Sequence, residues 1–375
     1  MRLRNACLAA ALISFAAHAQ ATDETWQSCT AIVDAMQRLA CFDAWAQGQR
    51  PPAALGEPAP APHPIAPVAP VAAKSVPPPL RRGLSLTPSD GCNDVDYSEL
   101  SRFWELEPGA DCGTFGLRGY RPLTMDLARG DTVNGQPTSG NPQNNATSPQ
   151  AYRTTETRLQ LSVRTKIAQG LLVGRADAID SLWFAYTQQS YWQLFTPSLS
   201  RPFRSTDHEP EFLYVLPLQT AQPDHWRLRY GGLAIVHQSN GQSLPLSRSW
   251  NRVYLMAGAE RDRLRLAGRI WKRLPEDAAS DDNPDIEDYV GRGELSAIWH
   301  PSRANLFAGT ARHSLRAPGR GSLRLEWFRT LADTGEGLPS GLQLHTQFFS
   351  GYGDTLLDYN RKRNVFSIGL SLVDW

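Results

Sequence analysis

The sequence has no run of about 18 consecutive apolar residues, the length that a membrane-spanning helix requires. Its longest nearly apolar stretch, about Ala6 to Ala17, is shorter than that. The sequence also has no excess of either charge, with 38 basic and 37 acidic residues in 375. The first absence excludes a bundle of membrane helices. The second leaves no electrostatic argument for nucleic acid as a partner.

The first 21 residues have the composition of an export signal. MRLRNACLAAALISFAAHAQA combines two arginines, the apolar stretch and small residues suited to cleavage after Ala19 or Ala21. This order is typical of a secretory signal peptide over 1–21, and an N-terminal anchor helix is the less favoured alternative. Without Arg2 and Arg4, the 38 basic residues become 36, against 37 acidic ones. We therefore expect an exported, nearly neutral mature chain.

Cysteine is scarce, and one of the five, Cys7, lies in the predicted signal peptide. The other four predict two disulfides in an oxidising compartment, and three pairings are possible: Cys29, Cys41, Cys92 and Cys112. The first two lie twelve residues apart in a helix-like stretch, which would separate them by about 18 Å in a straight helix. A disulfide requires Cα atoms within about 7 Å. Either this stretch folds back on itself, or both cysteines pair elsewhere.

Composition divides the exported chain into four segments. Residues 22–49 predict a small helical segment, and 50–80 predict a stiff linker of proline and alanine that cannot bury a core. A cysteine-containing segment over 81–112, expected to be periplasmic, follows. Residues 113–375 form the largest segment, and they begin with one strand candidate and a polar loop at 129–151.

From about residue 155 onward, apolar and polar residues alternate with the period of two that indicates β-strands. In TRLQLSVRTK, Leu159, Leu161 and Val163 share one face, and arginine, glutamine and serine occupy the other. RLRLAGRIWK, SLRLEWFR and NVFSIGLSLVDW repeat this pattern. Further candidates lie near 115–128, 181–195, 209–220, 226–239, 249–260, 286–300, 304–314 and 341–350. The pattern predicts about twelve strands.

The polar faces of these strands distinguish between two all-β architectures. A soluble β-sandwich has an apolar interior and a wet outer face. Here successive strands carry arginine, glutamine and glutamate on one face, as the lumen of an outer-membrane barrel requires. The sequence is rich in tryptophan and tyrosine and ends on the aromatic Trp375. We therefore predict a transmembrane antiparallel β-barrel of about 12 strands, with a soluble β-sandwich as the alternative.

The stretch HQSNGQSLPLSRSWNR, residues 237–252, joins two of the predicted strands. If the hairpin is centred near Leu244, His237 lies opposite Asn251, and Ser239 lies on the same face. That face is the apolar one, which the barrel interpretation turns towards lipid. Polar residues there are costly and indicate a function.

These side chains form a coherent hydrolytic set. A serine hydroxyl needs a base within hydrogen-bond reach, which His237 supplies. We expect Asn251 to fix the histidine tautomer, as the aspartate does in a serine-protease triad, and Gly241 to direct its backbone N–H toward an oxyanion. The alternative is a solvated hairpin tip without a catalytic role, because H-x-S is a weak motif. The sequence has no G-x-S-x-G motif that predicts a rival hydrolase site.

The hairpin resembles the active-site hairpin of the outer-membrane phospholipase A family, whose pattern is approximately H-x-S-N-G-x(5)-S-R-S-W-N-R. The similarity runs in the family's order over roughly 113–375 and leaves residues 22 to about 110 outside it. It includes YTQQSYWQLF (186–195), RPFRSTDHEPEF (201–212), DDNPDIEDYVG (281–291) and SGYGDTLLDYN (350–360). The resemblance implies a twelve-stranded barrel that hydrolyses phospholipid, with Ser239 as the nucleophile, His237 as the general base and Asn251 as the orienting residue.

The resemblance also implies Ca²⁺ as cofactor and a homodimer as the active form. The calcium ligands would be the backbone carbonyl of Gln242, the hydroxyl of Ser247, and Ser200 from the partner subunit, and Gln188 matches an interface residue. Hydroxyl and carbonyl oxygens suit this hard cation. Gln242 departs from a frequent arginine. Leu244 departs from an aspartate of some members, which predicts weaker calcium binding in the monomer.

The function predicted from these features is calcium-dependent hydrolysis of sn-1 and sn-2 acyl esters of phospholipids and lysophospholipids at the outer membrane. The rivals are a non-enzymatic barrel, such as a porin or adhesin, and a soluble secreted esterase. The acidic run 281–289 lacks the glycine and spacing of an EF-hand loop and predicts a solvated hairpin tip. The HEP sequence at 208–210 is not a zinc motif.

Overall fold

The structure is a computed structural model that describes residues 27–372 apart from 49–81, 85, 87, 93, 176, 202, 219–224 and 332–340. The predicted signal peptide (1–21), the predicted linker (50–80) and Trp375 lie outside the described residues. In the described part of the chain, no helix has the length and apolar character needed to cross a membrane. The chain divides into two units, 1–73 and 74–375.

In its described residues, the first unit contains two helices, α1 (Gln27–Thr30) and α2 (Ala35–Gly48). The chain leaves the helical conformation between them, and the Asp34 side chain accepts a hydrogen bond from the Gln37 N–H at 2.9 Å at the start of α2. This break brings the Cα atoms of Cys29 and Cys41 to 5.6 Å, and the two cysteines form a disulfide. Of the two alternatives, the stretch folds back on itself.

The second unit is an antiparallel barrel, and the part of it that the structure describes has two short α-helices, α3 (Glu99–Trp104) and α4 (Ile286–Val290). Three 3-10 helices cover Pro108–Ala110, Pro142–Asn144 and Leu356–Asp358. The strands are β1 (Leu117–Gly119), β2 (Leu123–Gly130), β3 (Thr155–Arg175), β4 (Ala178–Trp192), β5 (Ser205–Pro217), β6 (Arg227–Ser239), β7 (Ser249–Arg261), β8 (Leu264–Arg273), β9 (Gly293–Ser302), β10 (Asn305–His313), β11 (Gly321–Thr330), β12 (Leu342–Gly351) and β13 (Arg363–Leu372).

The barrel is closed because its last strand pairs with its first. Each strand from β2 to β13 is antiparallel to the next, and β13 pairs back onto β2, with Leu372 opposite Leu123. β1 and β2 both pair with β3 and together form one interrupted barrel strand. In the described residues the barrel therefore has twelve strands, which confirms the predicted fold class.

One predicted strand begins later than expected. The first part of the segment near 286–300 is the helix α4, and β9 starts only at Gly293. Ile286 and Val290, four residues apart, are both buried in one cluster with Trp250 and Tyr359. This spacing places both side chains on one face of a helix, which explains why the segment is not extended.

The two faces of the wall have opposite character. Facing inward, Arg158 forms an ion pair with Asp126 at 3.2 Å, and His345 Nδ1 lies 2.7 Å from Asp126 Oδ1. Facing outward, apolar side chains are exposed on successive strands: Met125, Leu161, Phe212, Leu233, Ile235, Leu255, Ile270, Leu295, Phe307, Leu325, Phe348 and Ile368. An apolar outside around a polar inside is the arrangement that lipid selects.

The segment before β1 fills one end of the barrel. Trp104 of α3 is 2% exposed and meets Trp183 of the wall edge to face. The buried Lys166 of β3 donates to Glu105 and Asp111, at 2.6 Å in both cases. Cys92 and Cys112 form the second disulfide. The predicted segment 81–112 is thus joined to the barrel by buried contacts, and its periplasmic location stays a prediction.

Candidate active site on the hairpin between β6 and β7

The hairpin has the predicted register. His237 pairs with Asn251, and Ser239 pairs with Ser249. Burial alternates along both strands: Trp250 and Val236 are buried, whereas His237 is exposed and Asn251 is half-buried. His237, Ser239 and Asn251 therefore lie together on the outer face, because side chains two residues apart, or directly opposite in a pair, point the same way.

A hydrogen bond orients the histidine ring. His237 Nδ1 lies 2.9 Å from Asn251 Oδ1. An amide oxygen only accepts hydrogen bonds, so Nδ1 carries the proton and Nε2 keeps a lone pair. Nε2 is then the nitrogen that can accept a proton from a hydroxyl group. Ser239, the predicted nucleophile, lies two residues further along on the same face of β6.

Two buried polar side chains shape the loop between the strands. Asn240 accepts from the N–H groups of Arg248 (2.9 Å) and Gln242 (3.3 Å), and it donates to the Leu246 carbonyl at 2.7 Å. Arg248 donates to the Ser247 carbonyl at 2.6 Å, and burial lowers the pKa of its guanidinium. Between these contacts Gly241 adopts a φ of +62°, which a residue with a Cβ reaches only with strain.

The predicted calcium ligands lie in two loops. Gln242 and Ser247 share the β6–β7 loop with Gly241, and the Ser247 hydroxyl donates to Asp282 Oδ2 at 2.7 Å. Ser200 lies in the loop after β4, where its hydroxyl donates to the Pro197 carbonyl at 3.2 Å. Within the described residues, no group of three or more His, Cys, Asp or Glu side chains is arranged to hold a metal. The predicted ligand atoms are the Gln242 carbonyl and the hydroxyls of Ser247 and Ser200, and the Asp282 carboxylate lies next to Ser247.

The sequence reasoning missed Asp282. The prediction of a solvated hairpin tip over 281–289 is wrong, because Asp281 and Asn283 are buried and Ser249 also donates to Asp282, at 3.1 Å. The run folds against the β6–β7 hairpin because Ile286 and Val290 anchor it to the cluster around Trp250. The signal that was available is the four-residue spacing of these two apolar side chains.

A second histidine adjoins the site. His208 of β5 pairs with Ser239, and its Nδ1 lies 2.7 Å from the Tyr186 hydroxyl. Its ring is also near Gly241, since a Cβ built on that glycine would lie 3.7 Å from the ring atoms. The HEP sequence therefore places its histidine beside the predicted nucleophile.

The outer face next to the site is apolar and grooved. Gln188 of β4 pairs with Leu161 on one side and with His208 on the other. A groove of about 400 Å³ begins at Gln188 and is lined mainly by leucine and methionine side chains, among them Leu123, Met125, Leu161, Leu342 and Leu370. Leu244, which with Gln242 departs from the pattern of the resembled family, is exposed in the hairpin loop.

Known proteins resemble this chain over most of its length. A family model described as phospholipase A1 matches residues 100–372. A putative phospholipase A1 of Neisseria meningitidis serogroup B is 34% identical over 370 residues, which cover 95% of this chain and 93% of that protein. The phospholipase A1 of Escherichia coli K12 is 33% identical over 222 residues, which cover 59% of this chain and 71% of that protein.

Two solved structures share the fold. Outer membrane phospholipase A from Escherichia coli matches with a TM-score of 0.59 and 28% identity, and the match covers 69% of this chain and 93% of that one. A Salmonella typhi outer membrane phospholipase, crystallised as a dimer with bound calcium, matches with the same values. The similarity extends further towards the N terminus than residue 113, so the expectation that residues 22 to about 110 lie outside it is wrong.

Proposed function

Because the chain belongs to the phospholipase A1 family, we propose that it is a calcium-dependent phospholipase of the outer membrane, with Ser239, His237 and Asn251 as its catalytic residues. Its substrates would be the sn-1 and sn-2 acyl esters of phospholipids and lysophospholipids. The observation that carries the proposal is the His237–Asn251 hydrogen bond beside Ser239 on the lipid-facing side of the barrel.

The proposed reaction follows from the tautomer of His237. Ser239 Oγ attacks the ester carbonyl carbon, and His237 Nε2 takes the hydroxyl proton. The oxygen of Asn251 stabilises the imidazolium through Nδ1–H. Nε2–H then protonates the departing glycerol oxygen, which leaves an acyl-serine. Water, deprotonated by His237, hydrolyses this ester and releases the fatty acid and free Ser239.

The oxyanion of each step needs positive charge or hydrogen-bond donors. The Gly241 N–H is our candidate donor. The oxygens around the hairpin loop fit calcium chemically, since hydroxyl, carbonyl and carboxylate groups are its preferred ligands. The Gln242 carbonyl and the Ser247 hydroxyl would hold the ion, with Ser200 contributed by a second subunit, and Asp282 adds a negative charge next to Ser247. When bound, calcium supplies electrostatic stabilisation of the oxyanion.

The lengths of the connections suggest which end of the barrel is outside. The connections at the hairpin end are long, for example 131–154 and 274–292, whereas 262–263 and 303–304 at the other end are two-residue turns. Outer-membrane barrels have short periplasmic turns and longer extracellular loops. The proposed site would therefore contact phospholipid in the outer leaflet, and segment 81–112 would lie at the periplasmic end.

The rival function is a barrel without enzymatic activity. The deciding experiment measures fatty-acid release from phospholipid in detergent micelles with calcium. Activity of the wild type that is lost in Ser239→Ala supports the proposal. Equal release by both proteins rejects the proposed nucleophile, and no release by either supports the porin or adhesin alternative. A folded barrel is verified in each case by heat-modifiable gel mobility.

Asn251→Ala is expected to lower kcat by about ten- to a hundredfold, less than the loss of the nucleophile or base. The reason is that a neutral orienting residue contributes about one hydrogen bond to the imidazolium and no charge. Steady-state hydrolysis of a short-chain phospholipid measures the effect. If Asn251→Ala were as inactive as Ser239→Ala, the asparagine would have to do more than orient the imidazole ring.

A barrel held as a monomer is expected to lose at least about 90% of its calcium-stimulated activity, because it would lack the oxyanion stabilisation that a second subunit's Ser200 completes. Nanodiscs that hold one barrel are compared with nanodiscs that hold two, at equal calcium and equal barrel concentration. Equal turnover per barrel would reject activation by dimerisation, but it would not reject the catalytic roles proposed for Ser239, His237 and Asn251.

A further inference from the structure

We infer that Glu276 is a positioning residue that orients the Asn251 amide for the reaction. This inference rests on the proposed function, since it assigns a further residue to the same site. Glu276 Oε1 accepts a hydrogen bond from Asn251 Nδ2 at 3.2 Å. The contact extends the chain of hydrogen bonds from His237 through Asn251 to a carboxylate.

The backbone after β8 brings Glu276 to this position. The Leu274 N–H donates to the Asn251 carbonyl at 2.8 Å, so the segment leaving β8 runs directly beside Asn251. Arg273 holds the other side of the carboxylate, with Nη2 at 3.5 Å from Glu276 Oε2 and at 2.6 Å from Asp281 Oδ1. The side chain of Glu276 is only 18% exposed, so the hydrogen bond is largely shielded from water.

A carboxylate next to Asn251 decides which way the amide points. The oxygen and nitrogen of an asparagine side chain are nearly equal in shape, so shape alone does not select an orientation. An ionised carboxylate only accepts hydrogen bonds, and therefore it binds the NH₂ group and repels the oxygen. With Nδ2 held by Glu276, Oδ1 must face His237.

The orientation of the amide in turn selects the histidine tautomer. Oδ1 facing the ring requires Nδ1–H, which leaves the Nε2 lone pair for the serine proton. A flipped amide would present N–H to Nδ1 and favour the opposite tautomer, which has no base towards Ser239. The negative charge behind the amide also polarises it and strengthens its hydrogen bond to the imidazolium.

The alternative role for Glu276 is structural. In that case its contribution is the ion pair with Arg273, which also contacts Asp281 and the Asn283 carbonyl (3.1 Å). Removal of Glu276 would then loosen the connection between β8 and α4 without a specific effect on the tautomer of His237. The two roles differ in how the effect of Glu276 depends on residue 251.

The experiment compares Glu276→Ala and Glu276→Gln with the wild type in the calcium-containing micelle assay. Glu276→Ala is expected to lower kcat by about ten- to a hundredfold with KM changed less than about twofold, since a hydrogen bond to a charged group is lost and substrate contacts are not. Glu276→Gln keeps an acceptor oxygen and is expected to retain more activity than the alanine variant. Asp277→Asn removes the neighbouring charge, keeps the acceptor for the Ala279 N–H and serves as the matched control with unchanged kcat.

Repeating Glu276→Gln in an Asn251→Asp background separates the two roles. An aspartate has two equivalent oxygens, so it needs no partner to orient it, and it would face Glu276 across a repulsive contact. Glu276→Gln should therefore leave that background unchanged or more active. An equal fractional loss in both backgrounds would overturn the positioning role in favour of the structural one.

The failure of this inference is distinguishable from the failure of the proposed function. Unchanged kcat in Glu276→Ala, with Ser239→Ala inactive, overturns only the role of Glu276. Activity in Ser239→Ala overturns the proposed nucleophile and this inference with it. Heat-modifiable gel mobility verifies that each variant is a folded barrel before its kinetics are compared.

Discussion

Ser239→Ala is expected to lower kcat/KM for phospholipid hydrolysis by about a thousandfold or more, and His237→Ala should match it. The nucleophile and base act as one unit, so removal of either stops acyl transfer, and only residual stabilisation by the oxyanion donors remains. The hydrogen bond that prepares His237 as a base is independent of the serine hydroxyl. Ser239→Ala should therefore keep that hydrogen bond, and both variants should keep the hairpin register, which the backbone pairing of β6 with β7 sets.

Ser243→Ala is the matched control for Ser239→Ala. Ser243 lies in the β6–β7 loop that follows Ser239 but is exposed, and its described contact is made by its backbone carbonyl, which accepts from the Leu246 N–H at 2.9 Å. We expect near wild-type turnover. Fatty-acid release by Ser239→Ala at more than about a tenth of the wild-type rate would reject Ser239 as the nucleophile.

Removal of calcium by a chelator is expected to lower kcat by about a hundred- to a thousandfold, the typical effect of losing one oxyanion stabiliser. Added Ca²⁺ should restore the rate. Mg²⁺ should not, because it requires a tighter octahedral shell than the loop carbonyl and hydroxyl oxygens provide. Initial rates over a series of free calcium concentrations measure the effect.

Two serines that donate hydrogen bonds to the same carboxylate provide a matched pair of variants for this test. Ser247 and Ser249 both donate to Asp282 Oδ2, at 2.7 and 3.1 Å. Ser247→Ala should raise the calcium concentration for half-maximal rate, whereas Ser249→Ala should leave it unchanged. Full activity in the chelator, with Ser239→Ala inactive, would reject the calcium requirement and keep the nucleophile.

The fold could be predicted because the residue pattern that determines it is local. Alternation with period two identifies each strand and its buried face from a few neighbouring residues, as in the run from Leu159 to Arg164. The centre of the hairpin loop then sets the strand register, so the pairing of His237 with Asn251 followed from a loop centred at Leu244. The helix α4 was not predicted because Ile286 and Val290 lie within a short segment that also carries acidic residues.

The surroundings of the site could not be predicted because they depend on how distant segments meet. Asp282 contacts Ser247 from 35 residues away, and Lys166 contacts Glu105 from 61 residues away. The spacing of Ile286 and Val290 indicates a buried helix face, but it does not specify which distant segment Asp282 meets, since that contact depends on the path of irregular loops. The prediction of a solvated acidic tip was wrong for this reason.

The sequence by itself therefore determined the barrel, the position of His237, Ser239 and Asn251 on its outer face, and the resemblance to a phospholipase family. Side-chain alternation and hairpin geometry act over only a few residues, and they suffice for these features. The tertiary structure alone decided the pairing of Cys29 with Cys41 and the contact of Glu276 with Asn251. Both depend on chain reversals outside the strands, where packing of buried side chains, not periodicity, sets the course of the backbone.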